Sequence, residues 1–139
     1  MRYLSKLGHD VVGVRPDIFD VGDDYLPSCI ETARRVVADP GRIGGVIGGS
    51  GNGEKISANK VAGCRAVLAW STETDRLTRE RNDVQVVGVG ARMHGSAGAA
   101  GIVEAFFATP FFDGEWHGCR IWMISDFGAA GDVPPICAG

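Results

Sequence analysis

The densest chemical signal in the chain is the run Gly48-Gly49-Ser50-Gly51-Asn52-Gly53-Glu54. Its glycines free the backbone to turn successive N–H groups toward one point, and a helix opening just beyond adds the positive end of its dipole. Such a nest suits a phosphate, or an oxyanion that develops during a reaction. Neither common nucleotide motif fits. The segment from Gly49 to Glu54 lacks the last glycine of GxGxxG, and Lys55-Ile56 does not complete a Walker sequence. A tight strand-to-helix turn without chemistry is the competing reading. Ser50 has neither a GxSxG setting nor a placeable His–Asp pair, which argues against a covalent nucleophile. Glu54 sits at the rim of the nest. There a carboxylate could take a carbon-bound proton while adjacent N–H groups hold the resulting oxyanion. The residue types fit equally well a first-turn Glu that stabilises its own helix.

Three further side chains suit a phosphate. Arg92 follows an expected strand, and Arg offers paired donors to phosphate oxygens. His117 and Arg120 are three residues apart on an expected helix and so share a face. A plain surface role fits each of them as well. Trp116 beside them suits packing, stacking or an interface. His9 and His94 carry no partner pattern, and the three histidines form no metal triad.

Elements that could position these residues follow from periodicity. His9 to Arg15 reads as a strand that Pro16 ends. Apolar residues at helical spacing (Cys29, Ile30, Ala33, Val36, Val37) then predict a helix with Asp23 or Asp24 as cap, Pro27 in its first turn and a stop at Asp39-Pro40-Gly41. Further strands are expected at 43–47, 65–70 and 84–89. The intervening helices are a short one through Ala58, one capped by Thr72 and reaching Arg81, one over 96–109, and a last one over 115–127. The tail from Gly128 should fray. Short, nearly all-apolar strands separated by helices imply a parallel sheet covered on both faces. Ligands in such sheets bind beyond the carboxyl ends of the strands, where the glycine run and Gly90-Ala91-Arg92 fall.

Composition bounds the rest. A chain of 139 residues is a single domain, 45% apolar and 22% charged, which excludes wholesale disorder. A net charge of -3 gives no case for nucleic acid. No apolar run reaches membrane-spanning length and no signal peptide opens the chain, so a cytoplasmic protein is expected. Cys29, Cys64, Cys119 and Cys137 form no CxxC and read as reduced thiols.

The segment 48–66, Gly-Gly-Ser-Gly-Asn-Gly-Glu-Lys-Ile-Ser-Ala-Asn-Lys-Val-Ala-Gly-Cys-Arg-Ala, closely resembles the signature of the ribose-5-phosphate isomerase B / galactose-6-phosphate isomerase family. Asp23-Asp24-Tyr25, Arg81-Asn82-Asp83, Val86 to Arg92, Phe107 to Phe111 and His117-x-x-Arg120-Ile121 extend the resemblance over about residues 3–127. It implies a Rossmann-like three-layer α/β/α sandwich with a mainly parallel sheet. The implied activity is aldose–ketose isomerisation of a phosphorylated sugar through a cis-enediolate, of the ribose 5-phosphate type and the pentose phosphate pathway, without metal or other cofactor. Gly49, Ser50, Gly51 and Gly53 would form the anion hole. Many members carry a Cys base at the position of Ser50. Where Ser stands there, the proposed base is the Glu equivalent to Glu54, since a neutral Ser is a poor proton acceptor and a carboxylate can be tuned by burial. Asn82 would bind sugar hydroxyls, Arg92 and Arg120 the phosphate, and His117 would line the site. Sites of the family are shared across a two-fold dimer, so a homodimer, or a tetramer built from it, is implied.

Three departures stand beside these matches. The family's first strand, with its Asp-His pair, has no counterpart. Arg81 replaces the ring-opening His and could only polarise an oxygen. Trp116 replaces a phosphate-binding Arg. A sugar-phosphate-binding homologue without turnover is therefore the alternative reading, and a partner-binding module unrelated to sugars a third.

Overall fold

The computed structural model describes residues 2–14 and 24–137. In chain order the elements are α1 (Arg2–Lys6), α2 (Leu26–Ala38), β1 (Gly44–Gly48), α3 (Asn52–Ala58), β2 (Ala66–Leu68), α4 (Thr72–Asn82), β3 (Val86–Gly90), α5 (Ser96–Ala108) and α6 (Glu115–Ala130). The three strands form one parallel sheet in the order β1-β3-β2. β3 is central and buried along its whole length, which is why it reads as an unbroken apolar and glycine run.

Alternation along β3 divides the core. Val86 faces a cluster with Cys29, Ala33 and Val36 of α2 and Ala58 of α3. Val87 and Val89 face the other way, onto Ile102 and Phe106 of α5. With α4 against α5 on that second side, the domain is a helix–sheet–helix sandwich. The fold class expected from the sequence is therefore present.

Local chemistry explains most boundaries. The Asp24 carboxylate accepts from the Leu26 N–H at 3.1 Å, and Pro27 sits in the first turn of α2, where its missing donor is harmless. The other suggested cap, Asp23, lies outside the described residues. α4 is capped by Ser71 rather than Thr72: Ser71 Oγ accepts from the Thr74 N–H while Thr74 Oγ1 accepts from the Ser71 N–H. α6 continues to Ala130, where Gly131 at φ 79° closes it. Cys119 and Cys137 are joined in a disulfide, against the expectation of four free thiols; Cys29 and Cys64 are free and buried. Their spacing held no signal because the chain folds back along α6 to bring them together.

The strand expected over 9–15 does not form. Residues 9–14 are irregular, and Arg15 lies outside the described residues. A strand needs a neighbour for its N–H and C=O groups. The His9 ring instead packs edge-on against Phe107 of α5, and the Tyr3 hydroxyl donates to Glu104. Among the described residues no strand pairs the outer side of β1, so β1 is a sheet edge and its Ile47 is 68% exposed.

Candidate active site

The glycine run turns from β1 into α3 at the carboxyl end of the sheet. Ser50 Oγ accepts from the Asn52 N–H at 3.3 Å, which tightens the turn. Gly51 has φ 80°, and a Cβ there would lie 2.6 Å from Leu68 and 3.0 Å from the Gly90 nitrogen. Only glycine meets both conditions at low cost. Gly90, at the end of β3, is equally confined, since a Cβ would come within 2.6 Å of the Ser50 carbonyl oxygen. The two strand-end loops are thus in backbone contact. The Ala91 N–H donates to Gly48 O at 2.8 Å and the Arg92 N–H to Gly49 O at 3.1 Å. This brings the Arg92 guanidinium beside Gly49, 3.8 Å from where a Cβ would stand.

Glu54, in the first turn of α3, is 5% exposed. Its Oε1 occupies the place a side chain on Gly48 would need, so glycine at 48 is what lets the carboxylate lie against the strand end. Gly53 does the same for the Tyr25 hydroxyl. Cys29 is the neighbouring thiol. Burial, helped by the charges of Glu54 and Asp24, pushes it up to about 11, so it stays protonated and is no rival base.

Other expected site residues lie elsewhere in the same chain. α4 returns from the carboxyl end of the sheet to its amino end, which carries Arg81 and Asn82 to the start of β3. There Arg65 donates to the Asn82 and Asp83 carbonyls at 3.0 and 2.8 Å. The turn after α5 reaches this end too, with the Phe112 N–H donating to Glu80 O at 2.9 Å and the His117 ring edge-on to Phe112. A five-residue parallel strand is roughly 17 Å long. One chain therefore gathers Ser50, the glycines, Glu54 and Arg92 at one end, and Arg81, Asn82 and His117, with Arg120 one turn further along α6, at the other.

A cavity of about 130 Å³ between Val37, Arg42, Arg79 and Gln85 also lies at the amino end. Among the described residues no three His, Cys, Asp or Glu side chains gather as a metal site. Sequence reasoning placed Gly48 in the nest and Gly90 in the loop before Arg92 without seeing the packing that requires glycine there, and gave Tyr25 no role. The Tyr25 signal was its place in the Asp23-Asp24-Tyr25 match; the two glycines needed the loop contact to be seen.

The sequence model of the ribose/galactose isomerase family matches residues 1–124. Ribose-5-phosphate isomerase B of Mycobacterium leprae is 46% identical over 136 residues, spanning 98% of this chain and 84% of that protein. The Mycobacterium tuberculosis protein of the same name is 44% identical over the same span. The crystal structure of ribose-5-phosphate isomerase B from Mycoplasma genitalium with bound ribulose-5-phosphate superposes with a TM-score of 0.86 at 29% identity, covering 93% of this chain and 85% of that one. The type B enzyme of Trypanosoma cruzi gives 0.75 at 35% identity, covering 78% and 72%. The chain belongs to the ribose/galactose isomerase family.

Proposed function

We infer that this chain interconverts the aldose and ketose forms of a phosphorylated sugar of the ribose 5-phosphate/ribulose 5-phosphate type. The observation that carries this reading is the placement of the buried Glu54 carboxylate against Gly48, where the glycine turn leaves β1. Glu54 takes the proton from C2 of the open aldose. The C2–H electron pair becomes the C1–C2 double bond of the cis-enediolate, and charge passes to the carbonyl oxygen, where amides of Gly49 to Gly53 meet it. Returning that proton to C1, as the C2 hydroxyl proton passes to the C1 oxygen and the C2–O bond becomes the carbonyl, yields the ketose. Ser50 lines the turn, and Arg92 grips the phosphate through charge-assisted hydrogen bonds.

The split of the site residues supports a shared site. A two-fold dimer sets the Arg81, Asn82, His117 and Arg120 end of one copy against the glycine turn of the other. Arg81 would polarise the ring oxygen, Asn82 hold hydroxyls, and Arg120 and His117 complete the phosphate site. The surface of α6 fits this assembly: it buries no residue within its own chain and leaves Trp116, Trp122 and Phe127 more than half exposed. No helix is long and apolar enough to cross a membrane among the described residues.

The test is conversion of ribose 5-phosphate to ribulose 5-phosphate by the purified chain, with Glu54→Gln losing turnover while still binding. The second reading, binding without turnover, is favoured by Arg81 at the position of the ring-opening His. Substrate binding without exchange of deuterium at C2 in heavy water would select it.

A further inference from the structure

β3 ends at Gly90 between its two neighbours in the sheet, and the loop that follows carries Arg92. Two of the loop's fastenings lie on the β1 side, where the Ala91 and Arg92 N–H groups donate to Gly48 O and Gly49 O. A third lies on the β2 side and is made by a side chain. His94 Nε2 stands 3.3 Å from the carbonyl oxygen of Ala69, the residue just beyond β2. A carbonyl only accepts, so the ring nitrogen facing it carries the hydrogen. Ala69 is a firm anchor. Its N–H donates to Gly88 O at 2.7 Å, and its side chain is buried with Val84, Val87 and Val89. His94 is half-buried, whereas Arg92 and Met93 before it are exposed. The proton transfer makes no use of this histidine.

We propose that His94 is a positioning residue: by tying the 91–95 loop to the end of β2, it holds the Arg92 guanidinium beside Gly49 to receive the substrate phosphate. This rests on the reading of Arg92 as a phosphate ligand. The two bonds on the β1 side come from adjacent N–H groups, so they act as a hinge about which the rest of the loop can swing. Past the loop, the first buried residue of α5 is Ile102, too far along the chain to fix residue 92. Among the described residues no other side chain of 91–95 makes a hydrogen bond, which leaves the His94 bond to close the bridge from β1 to β2. Arg carries many rotamers, and ordering it on a phosphate costs least when the backbone beneath it is already fixed. Loss of the His94 bond therefore weakens the grip on substrate and spares the proton step at Glu54.

The experiment is KM and kcat for ribose 5-phosphate with the wild type, His94→Phe, His94→Gln, Arg92→Ala, and the double variant carrying His94→Phe with Arg92→Ala. His94→Phe keeps a ring in place and removes the donor. It should raise KM about three- to tenfold, the scale of one lost hydrogen bond, with kcat within about twofold of the wild type. His94→Gln offers an amide donor at similar reach and should return KM to within about twofold of the wild type. In the Arg92→Ala background His94→Phe should raise KM no further, because a residue that acts through Arg92 then has nothing left to position. A wild-type KM in His94→Phe beside a raised KM in Arg92→Ala overturns the His94 proposal and leaves the phosphate reading standing. The same holds if His94→Phe raises KM equally in both backgrounds, or if His94→Gln is no better than His94→Phe. If Arg92→Ala leaves KM unchanged, the phosphate reading falls and the proposal with it.

Discussion

Asp75 makes a prediction about stability that runs against the usual behaviour of a carboxylate. Its folded-state pKa is raised from 3.8 to about 6, chiefly by burial. Between those two values the folded chain keeps a proton that the unfolded chain releases, so stability must fall as pH rises through the window. At about 1.4 kcal/mol per pKa unit, two units amount to roughly 3 kcal/mol lost above the window. Asp75→Asn removes that charge but leaves a buried amide, whose unmet hydrogen bonds cost on the order of 1–2 kcal/mol. The variant should therefore be more stable than the wild type at neutral pH by about 1–2 kcal/mol, or a rise in Tm of roughly 3–6 °C. In acid near pH 4 the order should reverse, the variant falling about 1–2 kcal/mol below the wild type, because the carboxyl is then neutral while the cost of the amide remains. Urea unfolding at both pH values, at one fixed protein concentration, measures the difference. A variant less stable than the wild type at neutral pH, by an amount that does not change with pH, would refute the reasoning: the carboxylate would then be well held.

Other expectations follow from the same geometry. Arg92→Ala removes charge-assisted bonds worth about 1.5–3 kcal/mol, so KM for a sugar phosphate should rise about 10–100-fold and kcat change far less; an equal fall in both would contradict a ground-state phosphate contact. Gly51→Ala places a Cβ at φ 80° and against Leu68 and Gly90, and should lower stability by more than about 1 kcal/mol in urea unfolding. A wild-type midpoint would mean the loop contact is looser than described. If the site is shared, inactive Glu54→Gln and inactive Asn82→Ala chains, unfolded together and refolded as a mixture, should regain about a quarter of wild-type activity, because half the dimers are mixed and each has one intact site of two. No recovery would place Glu54 and Asn82 in the same site of one chain.

How much of this was legible in the sequence varied with the range of the interactions. Helices α2, α4 and α5 were readable because periodicity and caps are local, although choosing Ser71 over Thr72 required knowing which side chain closes the reciprocal bond. β3 was readable as a strand buried on both faces. Residues 9–14 were misread: their valine-rich run suits a strand, but pairing depends on a neighbour that no local pattern reports. Within the candidate site, the glycine turn, Glu54 and Arg92 were found from sequence because they surround the ends of two adjacent strands. Their separation from Arg81, Asn82, His117 and Arg120 is a property of parallel topology, visible only once the course of α4 and of the α5–α6 turn is known. Asp75 escaped notice entirely, since Asp in the first turn of a polar helix reads as a solvated residue.

The most direct test of the catalytic account is exchange at sugar C2 in heavy water, measured by NMR on ribose 5-phosphate with wild-type chain and with Glu54→Gln. The account predicts deuterium entering C2 and ribulose 5-phosphate forming with the wild type, and both falling about 10²–10⁴-fold in the variant while the sugar phosphate still binds. Exchange in Glu54→Gln at the wild-type rate would show that another group carries the proton.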